Sequence, residues 1–213
     1  MRTILISGND TGVGKTHVTG LLARELRQSG HSVQIVKAVE TGSSPACEGD
    51  ADRAAIAAGG GAEAITLFRF ARPLAPLEAA SRDGKQLSMN GVVSALRALA
   101  PCDWRLVEGA GGLAVPLDED GSDWADLARR SGADFVVLVV EDRLGAINQA
   151  RLLSSHCRVK EVNRPVFFLN SPVPPDEDVA ASNRSGIKCL GFPLVEDGSA
   201  ASLLGLMAKE AEG

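Results

Sequence analysis

The stretch "SGNDTGVGKTHVTGLL", residues 7–22, decides how the 213-residue chain folds. It leaves the apolar run Thr3–Ser7 ("TILIS"), which reads as a buried strand. It continues into Val18, Leu21, Leu22 and Leu26, which share one face of a helix that Gly30 would stop. A glycine-rich loop between a strand and a helix offers backbone N–H groups to an anion at the positive end of the helix dipole. Those groups run from Gly12 through Val13, Gly14 and Lys15 to Thr16, with His17 following on the first helical turn. Gly12 and Gly14 permit a close approach that a β-carbon would obstruct. Lys15 would carry positive charge to the β- and γ-phosphates of a nucleotide, and the Thr16 hydroxyl can ligate Mg²⁺. The usual phosphate loop has four residues between its first glycine and Gly-Lys-Ser/Thr. Here five separate Gly8 from Gly14. An ordinary glycine turn is the alternative, and the loop alone names no reaction.

Outward from the loop, short runs rich in Val, Ile and Leu alternate with segments of helical period. "SVQIVKAV" (residues 32–39) is a second strand, and Thr41 to about Ala64 reads as a loop around one short helix. Met89, Val92, Val93, Leu96 and Leu99 mark an amphipathic helix before the strand "WRLVEG". A short helix near "DWADLARRSG", the strand "DFVVLVV", a helix "AINQARLLSS" and the strand "PVFFLN" follow. The tail holds a strand-like "IKCLGFPL" and a small helix near "ASLLGLMAK". This alternation predicts a single α/β domain over residues 1–213, a phosphate-loop NTPase-like, mostly parallel sheet with helices on both faces. Right-handed crossovers place every strand's C-terminal end, where ligands bind, on one edge.

Composition is that of a globular protein, with 45% hydrophobic and 23% charged residues. A net charge of −5 argues against a nucleic-acid partner. Cys47, Cys102, Cys157 and Cys189 are scattered without metal-ligand spacing, so free thiols in a reducing cytosol are expected. The apolar run in "MRTILISGND" is too short for a signal peptide or a membrane span. A cytoplasmic protein with no membrane partner is expected.

The loop "GNDTGVGKT" lacks the early lysine of the partitioning ATPases, K-G-G-x-G-K-T, and has Asn9-Asp10-Thr11 there. It resembles the G-T-D-T-x-V-G-K-T loop of the dethiobiotin synthetase family, which has the same five-residue gap. "KAVETG" is similar to that family's K-P-V-x-S/T-G, "VEGAGGLAVPL" to its V-E-G-A-G-G, and "LGAINQARLL" to L-G-x-I-N-H-x-L-L. "FFLN" and "GFPLV" resemble its adenine-binding region. The matches run in order from Ser7 to about Val195. The resemblance implies a ligase that uses ATP and Mg²⁺ to close a ureido ring from CO₂ (or bicarbonate) and 7,8-diaminononanoate, working as a homodimer.

The matched residues also make physical sense. Glu108 ends a strand at the ligand edge, where a carboxylate can hold Mg²⁺ opposite Thr16, the alternative being a paired strand-end carboxylate, and Gly109, Ala110 and Gly111 leave room beside it. A second metal carboxylate comes from "GDADRAA". Similarity to the family favours Asp52, with Asp50 the rival, and either could simply cap the following helix. Lys37 ends the second strand. A lysine there is commonly a solvated charge, but the family match makes it, with Lys15, a catalytic cation for charge accumulating between carbamate and phosphate. Thr11 and Thr41 are implied substrate contacts, Thr41 being otherwise a turn hydroxyl. Gly145, Ala146, Ile147 and Asn148 open a helix whose N–H groups could bind the far carboxylate of the substrate, an end that the resemblance implies is met across a dimer interface; Asn148 could equally be a plain helix-start residue. Asn170 would meet an adenine edge and Pro193, Leu194 and Val195 would wall the ring; alternatively Asn170 is a turn residue before Ser171-Pro172.

Ala38, Leu77 and Gln149 depart from the family's proline, histidine and histidine. "VVEDRLG" is unusually charged, and the stretch between Pro175 and Gly186 looks short, implying a shallow adenine side. His17, His31 and His156 form no constellation and are assigned no catalytic role. The competing readings are a nucleotide-driven switch, an amidating ligase of the cobyrinate class, and a nucleotide-binding paralogue without ligase activity. The amidating class needs a glutamine-hydrolysing domain for which 213 residues leave no space.

Overall fold

A computed structural model describes residues 1–44 and 47–212. Pro45 and Ala46, inside the stretch read as a loop, and Gly213 lie outside the described residues. The strands are β1 (Arg2–Gly8), β2 (Val33–Thr41), β3 (Glu63–Phe70), β4 (Trp104–Glu108), β5 (Phe135–Glu141), β6 (Pro165–Asn170) and β7 (Leu194–Val195). The helices are α1 (Lys15–Gln28), α2 (Asp50–Ala57), α3 (Pro76–Arg82), α4 (Met89–Arg97), α5 (Trp124–Ser131), α6 (Ala146–Val159), α7 (Glu177–Lys188) and α8 (Ala200–Glu212). The seven strands form one sheet in the order β3-β2-β4-β1-β5-β6-β7, and every pairing is parallel. The α/β class with a parallel sheet is therefore observed.

Both sheet faces are covered, so the central strands read as continuous apolar runs rather than alternating ones. On one face, Val18, Leu22 and Leu26 of α1, Ala51 and Ala54 of α2, and Leu203 and Met207 of α8 pack on Ile4, Ile6, Ile35 and Val137. On the other, Met89, Val92 and Leu96 of α4, Trp124 and Leu127 of α5, and Ala150 and Leu153 of α6 pack on Leu5, Val36, Val107 and Leu138. Truncating one such side chain, Leu22→Ala for example, costs roughly 2–5 kcal/mol.

Three elements differ from the sequence reading. "EAITLFRF" is strand β3, half-buried at the sheet edge, in a stretch whose Gly/Ala-rich start reads as loop. "PLEAASR" is helix α3, with Pro76 at its start. The expected strand-like "IKCLGFPL" is instead the end of α7 and a turn, and only Leu194–Val195 are extended. The stretch thought short on the adenine side is α7 itself. Its polar sequence hides it because one anchor, Asn183, is a buried amide that donates to Asp142 Oδ1 at 2.7 Å.

Candidate active site

The loop between β1 and α1 lies at the C-terminal edge of the sheet. Gly12 (φ 79°) and Gly14 (φ 100°) occupy the left-handed region, which side-chain-bearing residues rarely adopt. Gly14 is required twice over: a β-carbon there would overlap the Asn170 amide. That amide donates from Nδ2 to the Val13 carbonyl at 2.8 Å, tying the end of β6 to the loop. Asn170 thus reaches the nucleotide loop while its Oδ1 is left to accept.

Glu108 organises the centre. Its carboxylate is 1% exposed and ends β4, beside Lys37 of β2 in the strand register. Oε1 accepts from Thr16 Oγ1 at 2.9 Å and from Lys37 Nζ at 2.7 Å, and Oε2 accepts from Thr19 Oγ1 at 3.2 Å. Lys37 Nζ also donates to the Gly109 carbonyl at 3.0 Å and pairs with Asp50 Oδ2 at 2.6 Å. Lys15 Nζ donates to the Asp10 carbonyl at 2.6 Å, curled back over its own loop. Thr19 was missed in the sequence. It lies one helical turn beyond Thr16, so both hydroxyls face the same carboxylate.

Charge follows from this packing. Burial opposes the ammonium of Lys37, but the Glu108 and Asp50 carboxylates outweigh it and hold its pKa above the ordinary lysine value. Burial likewise opposes ionisation of Asp50, and Lys37 outweighs it, so its pKa lies below the usual carboxylate range. Lys15 has weaker support. Burial and the neighbouring Lys37 ammonium lower its pKa from 10.5 to about 8, only partly offset by Glu108, Asp50 and Asp10.

The two candidate metal carboxylates separate cleanly. Asp52 Oδ2 accepts the Gly49 N–H at 2.9 Å, the return bond of a capping box at the start of α2. Asp50 points at Lys37 and is also held by Arg53. At the third helical position the Asp52 carboxylate turns back to cap, while Asp50, at the first, faces the ligand edge beside Lys37. Thr16, Asp50 and Glu108 form a hard oxygen set that suits Mg²⁺.

The remaining candidates are distributed around this centre. Thr11 is exposed on the loop and His17 on the first turn of α1, Thr41 is half-buried at the end of β2, and Gly109 and Ala110 are buried beyond Glu108. The Gly109 backbone passes the Trp124 ring so closely that a β-carbon would lie 3.0 Å from it, and Gly111 has a φ of 68°. Val195 is 2% exposed and paired with Phe168, two residues short of Asn170, so its side chain belongs to the core rather than to a ring wall. Pro193 and Leu194 are half-buried at the same sheet edge. At the start of α6, Ala146 is buried and Ile147 packs on Gly186 of α7, while Gly145 and Asn148 are exposed.

A cavity of about 520 Å³ adjoins the loop, lined by Asn9, Asp10, Gly112, Val115, Gln149 and His156. Asn9 Oδ1 and Gln149 Oε1 are buried there without hydrogen-bond partners among the described residues. His156 Nε2 sits 2.7 Å from Asp123 Oδ2, a partnership across 33 positions that no local spacing reveals.

The family described as an AAA domain matches residues 2–196. An ATP-dependent dethiobiotin synthetase of Anaeromyxobacter sp. (strain Fw109-5) is 37% identical over 190 residues, 88% of this chain and 84% of its own. That of Rhodococcus erythropolis is 37% identical over 92% of this chain and 87% of its own, and that of Mycobacterium tuberculosis 35% identical over 88% and 82%. Among solved structures, a DUF1611 family protein from Anabaena variabilis superposes with a TM-score of 0.55 at 18% identity, over 98% of this chain and 57% of that one. The signal recognition particle 54 kDa protein of Aeropyrum pernix, solved with GDP, gives 0.51 at 16%, over 99% and 50%. These two likenesses concern the fold alone, and the chain spans only about half the length of each structure. The shared loop, the ordered motifs and identity along most of the chain place it in the ATP-dependent dethiobiotin synthetase family.

Proposed function

We propose that the chain, as one domain, is an ATP-dependent dethiobiotin synthetase that closes the ureido ring on 7,8-diaminononanoate with CO₂ or bicarbonate as carbon source. The observation that carries this reading is the convergence of Lys37, Thr16, Asp50 and Glu108 beside the loop that holds Lys15. In the first step one substrate amine adds to CO₂ and loses a proton, giving a carbamate. A carbamate oxygen then attacks the γ-phosphorus and ADP departs, leaving a mixed carbamic–phosphoric anhydride. The second amine attacks the carbonyl carbon, the ring closes, and phosphate leaves as a proton is released.

No protein nucleophile enters these steps, so the side chains contribute placement and charge. Lys37, held charged by two carboxylates, faces the region where negative charge collects between carbamate and phosphate. Lys15 and the loop N–H groups receive the β- and γ-phosphates. Thr16, Asp50 and Glu108 would hold Mg²⁺, which when bound neutralises phosphate charge. The Asn170 carboxamide oxygen, with its nitrogen already committed to Val13, suits a base edge that donates from an exocyclic amine.

The exposed helix start at Gly145–Asn148 supports a homodimer in which each subunit's α6 meets the partner's substrate. Among the described residues no helix is long and apolar enough to cross a membrane, and we place the enzyme in the cytoplasm. The test combines purified protein, Mg-ATP, bicarbonate and diaminononanoate and follows the products by mass spectrometry. A cyclic urea formed in step with ADP is expected. ADP release indifferent to the diamine would instead favour a nucleotide switch.

A further inference from the structure

Lys37 and Glu40 lie three apart on β2, a spacing that ordinarily turns two side chains to opposite faces of a sheet. Both nevertheless reach Asp50. The register with β3 stays regular through this stretch, Lys37 opposite Thr66 and Glu40 opposite Arg69. Lys37 takes the Asp50 carboxylate at 2.6 Å, and Glu40 Oε2 accepts the Asp50 backbone N–H at 2.9 Å. Glu40 is 5% exposed and forms no ion pair within 4.0 Å among the described residues. Glu40 faces the N-terminus of α2, where the helix dipole is positive and the Asp50 backbone N–H is its partner, while burial still holds its pKa above the ordinary carboxylate value.

Gly49, the N-cap of α2, fits between this carboxylate and Arg69. A β-carbon on it would lie 2.7 Å from Glu40 Oε2 and 3.0 Å from Arg69 Nη2. Arg69 in turn donates from Nη1 to Ser43 Oγ at 2.9 Å and to the carbonyls of Ser44 and Cys47 at 2.8 and 3.0 Å. From Nη2 it donates to Thr66 Oγ1 at 3.3 Å. The helix start is thus pinned by β2 from below and by β3 from the side. Among the described residues, the Asp50 side chain makes the one ion pair from α2 to Lys37. Its placement decides whether that carboxylate meets the ammonium or swings into solvent.

We propose that Glu40 is a positioning residue: by holding the N-terminus of α2 it sets the Asp50 carboxylate on Lys37. Among the described residues its carboxylate accepts a hydrogen bond from Asp50 alone, so it acts through Asp50. The part of this that concerns Mg²⁺ rests on the reading of Asp50 as a metal carboxylate; the docking of α2 does not.

Two measurements keep these apart. Hydrogen exchange on the nucleotide-free protein reads the docking directly. Glu40→Ala is expected to speed exchange at the Asp50 and Arg53 amides by about tenfold, with β1 and α1 unchanged, the scale of one lost hydrogen bond. Glu40→Gln, which keeps an acceptor oxygen, restores protection to within about threefold. Unchanged protection in Glu40→Ala, or a Gln variant as unprotected as Ala, overturns the proposal. Calorimetric titration of ADP with and without Mg²⁺ then reads the consequence. Glu40→Ala should remove about tenfold of the Mg²⁺-linked gain in affinity and leave the Mg²⁺-free affinity alone, and the loss should not add to that of Asp50→Asn. Additive losses, or an equal loss without Mg²⁺, overturn the route through Asp50. A wild type whose ADP affinity ignores Mg²⁺ would refute the metal reading, while the exchange result still decides the docking.

Discussion

At the scale of single residues, the site is a competition among buried charges. Lys37 wins its charge from two carboxylates, so replacing it leaves Glu108, 1% exposed, and Asp50 without their shared cation. Lys37→Gln is expected to lower kcat by roughly a hundredfold or more, the cost of one preorganised charge donor, in a steady-state assay of ADP release. Turnover near that of the wild type would remove Lys37 from the chemistry. The two aspartates divide in the same way. Asp50→Asn should abolish the response of turnover to Mg²⁺, whereas Asp52→Asn should lower thermal stability by about 1 kcal/mol, as expected for a weakened cap. The reverse pattern would return the metal to Asp52.

Lys15 provides a pH signature at this same scale. Burial and the Lys37 ammonium depress its pKa to about 8, while the unfolded chain keeps 10.5. Between these values the unfolded state holds more protons, so this group's contribution to the stability of the nucleotide-free protein rises with pH across that window. Bound phosphates favour the charged form. Nucleotide binding at about pH 8.5 is therefore expected to take up protons, measured as a dependence of the binding heat on the buffer's ionisation enthalpy. Binding heats independent of the buffer would show that Lys15 is already fully charged.

At the scale of elements, helix caps connect the site to its surroundings. Asp123 caps α5 by accepting the Ala125 and Asp126 N–H groups, and its other oxygen meets His156 of α6. Asp123→Ala removes cap and interhelix bond together and is expected to cost about 2 kcal/mol, at the upper end for a cap, in chemical denaturation. A loss confined to a few tenths would show that α5 and α6 are held by their apolar contacts and the Lys160–Asp126 pair without help from Asp123. This scale also shows what the sequence could disclose. Strands β1, β4, β5 and β6 and the nucleotide loop were legible because a doubly covered parallel strand must be a continuous apolar run, and a phosphate loop must be rich in glycine. β3 was not, since an edge strand is only half-buried. α7 was not, since its buried face is only Ala180, the amide Asn183 and Ile187, too sparse an apolar stripe to mark a helix. Asp50 could not be chosen over Asp52, because both suit a helix start and only the fold shows which one turns back to cap. Glu40 was invisible for a related reason: its role depends on where the N-terminus of α2 docks on β2, which only the fold shows.

At the scale of the whole molecule, the exposed face of α6 decides whether one chain makes a complete site. Asn148, Leu152, Ser155 and Val159 fall on one helical stripe, all exposed, and Leu144 precedes them, 81% exposed. Leu152 and Val159 are 65% and 79% exposed, an arrangement better explained by a second subunit than by solvent. On this reading Leu152→Glu dissociates the dimer, seen as a halved mass in light scattering after gel filtration. Complementation goes further. Lys37→Gln disables the site in its own subunit, and Asn148→Asp places a repelling carboxylate at the helix start that serves the partner's site. Each homodimer then has two damaged sites. In a randomly mixed population half the dimers are heterodimers, and in each of these one site carries both changes and the other neither. About a quarter of wild-type activity should return on mixing two inactive proteins, an outcome that an isologous interface with shared sites requires. If every site is complete within one subunit, each heterodimer instead pairs one Lys37-deficient site with one Asn148-deficient site, and mixing restores nothing.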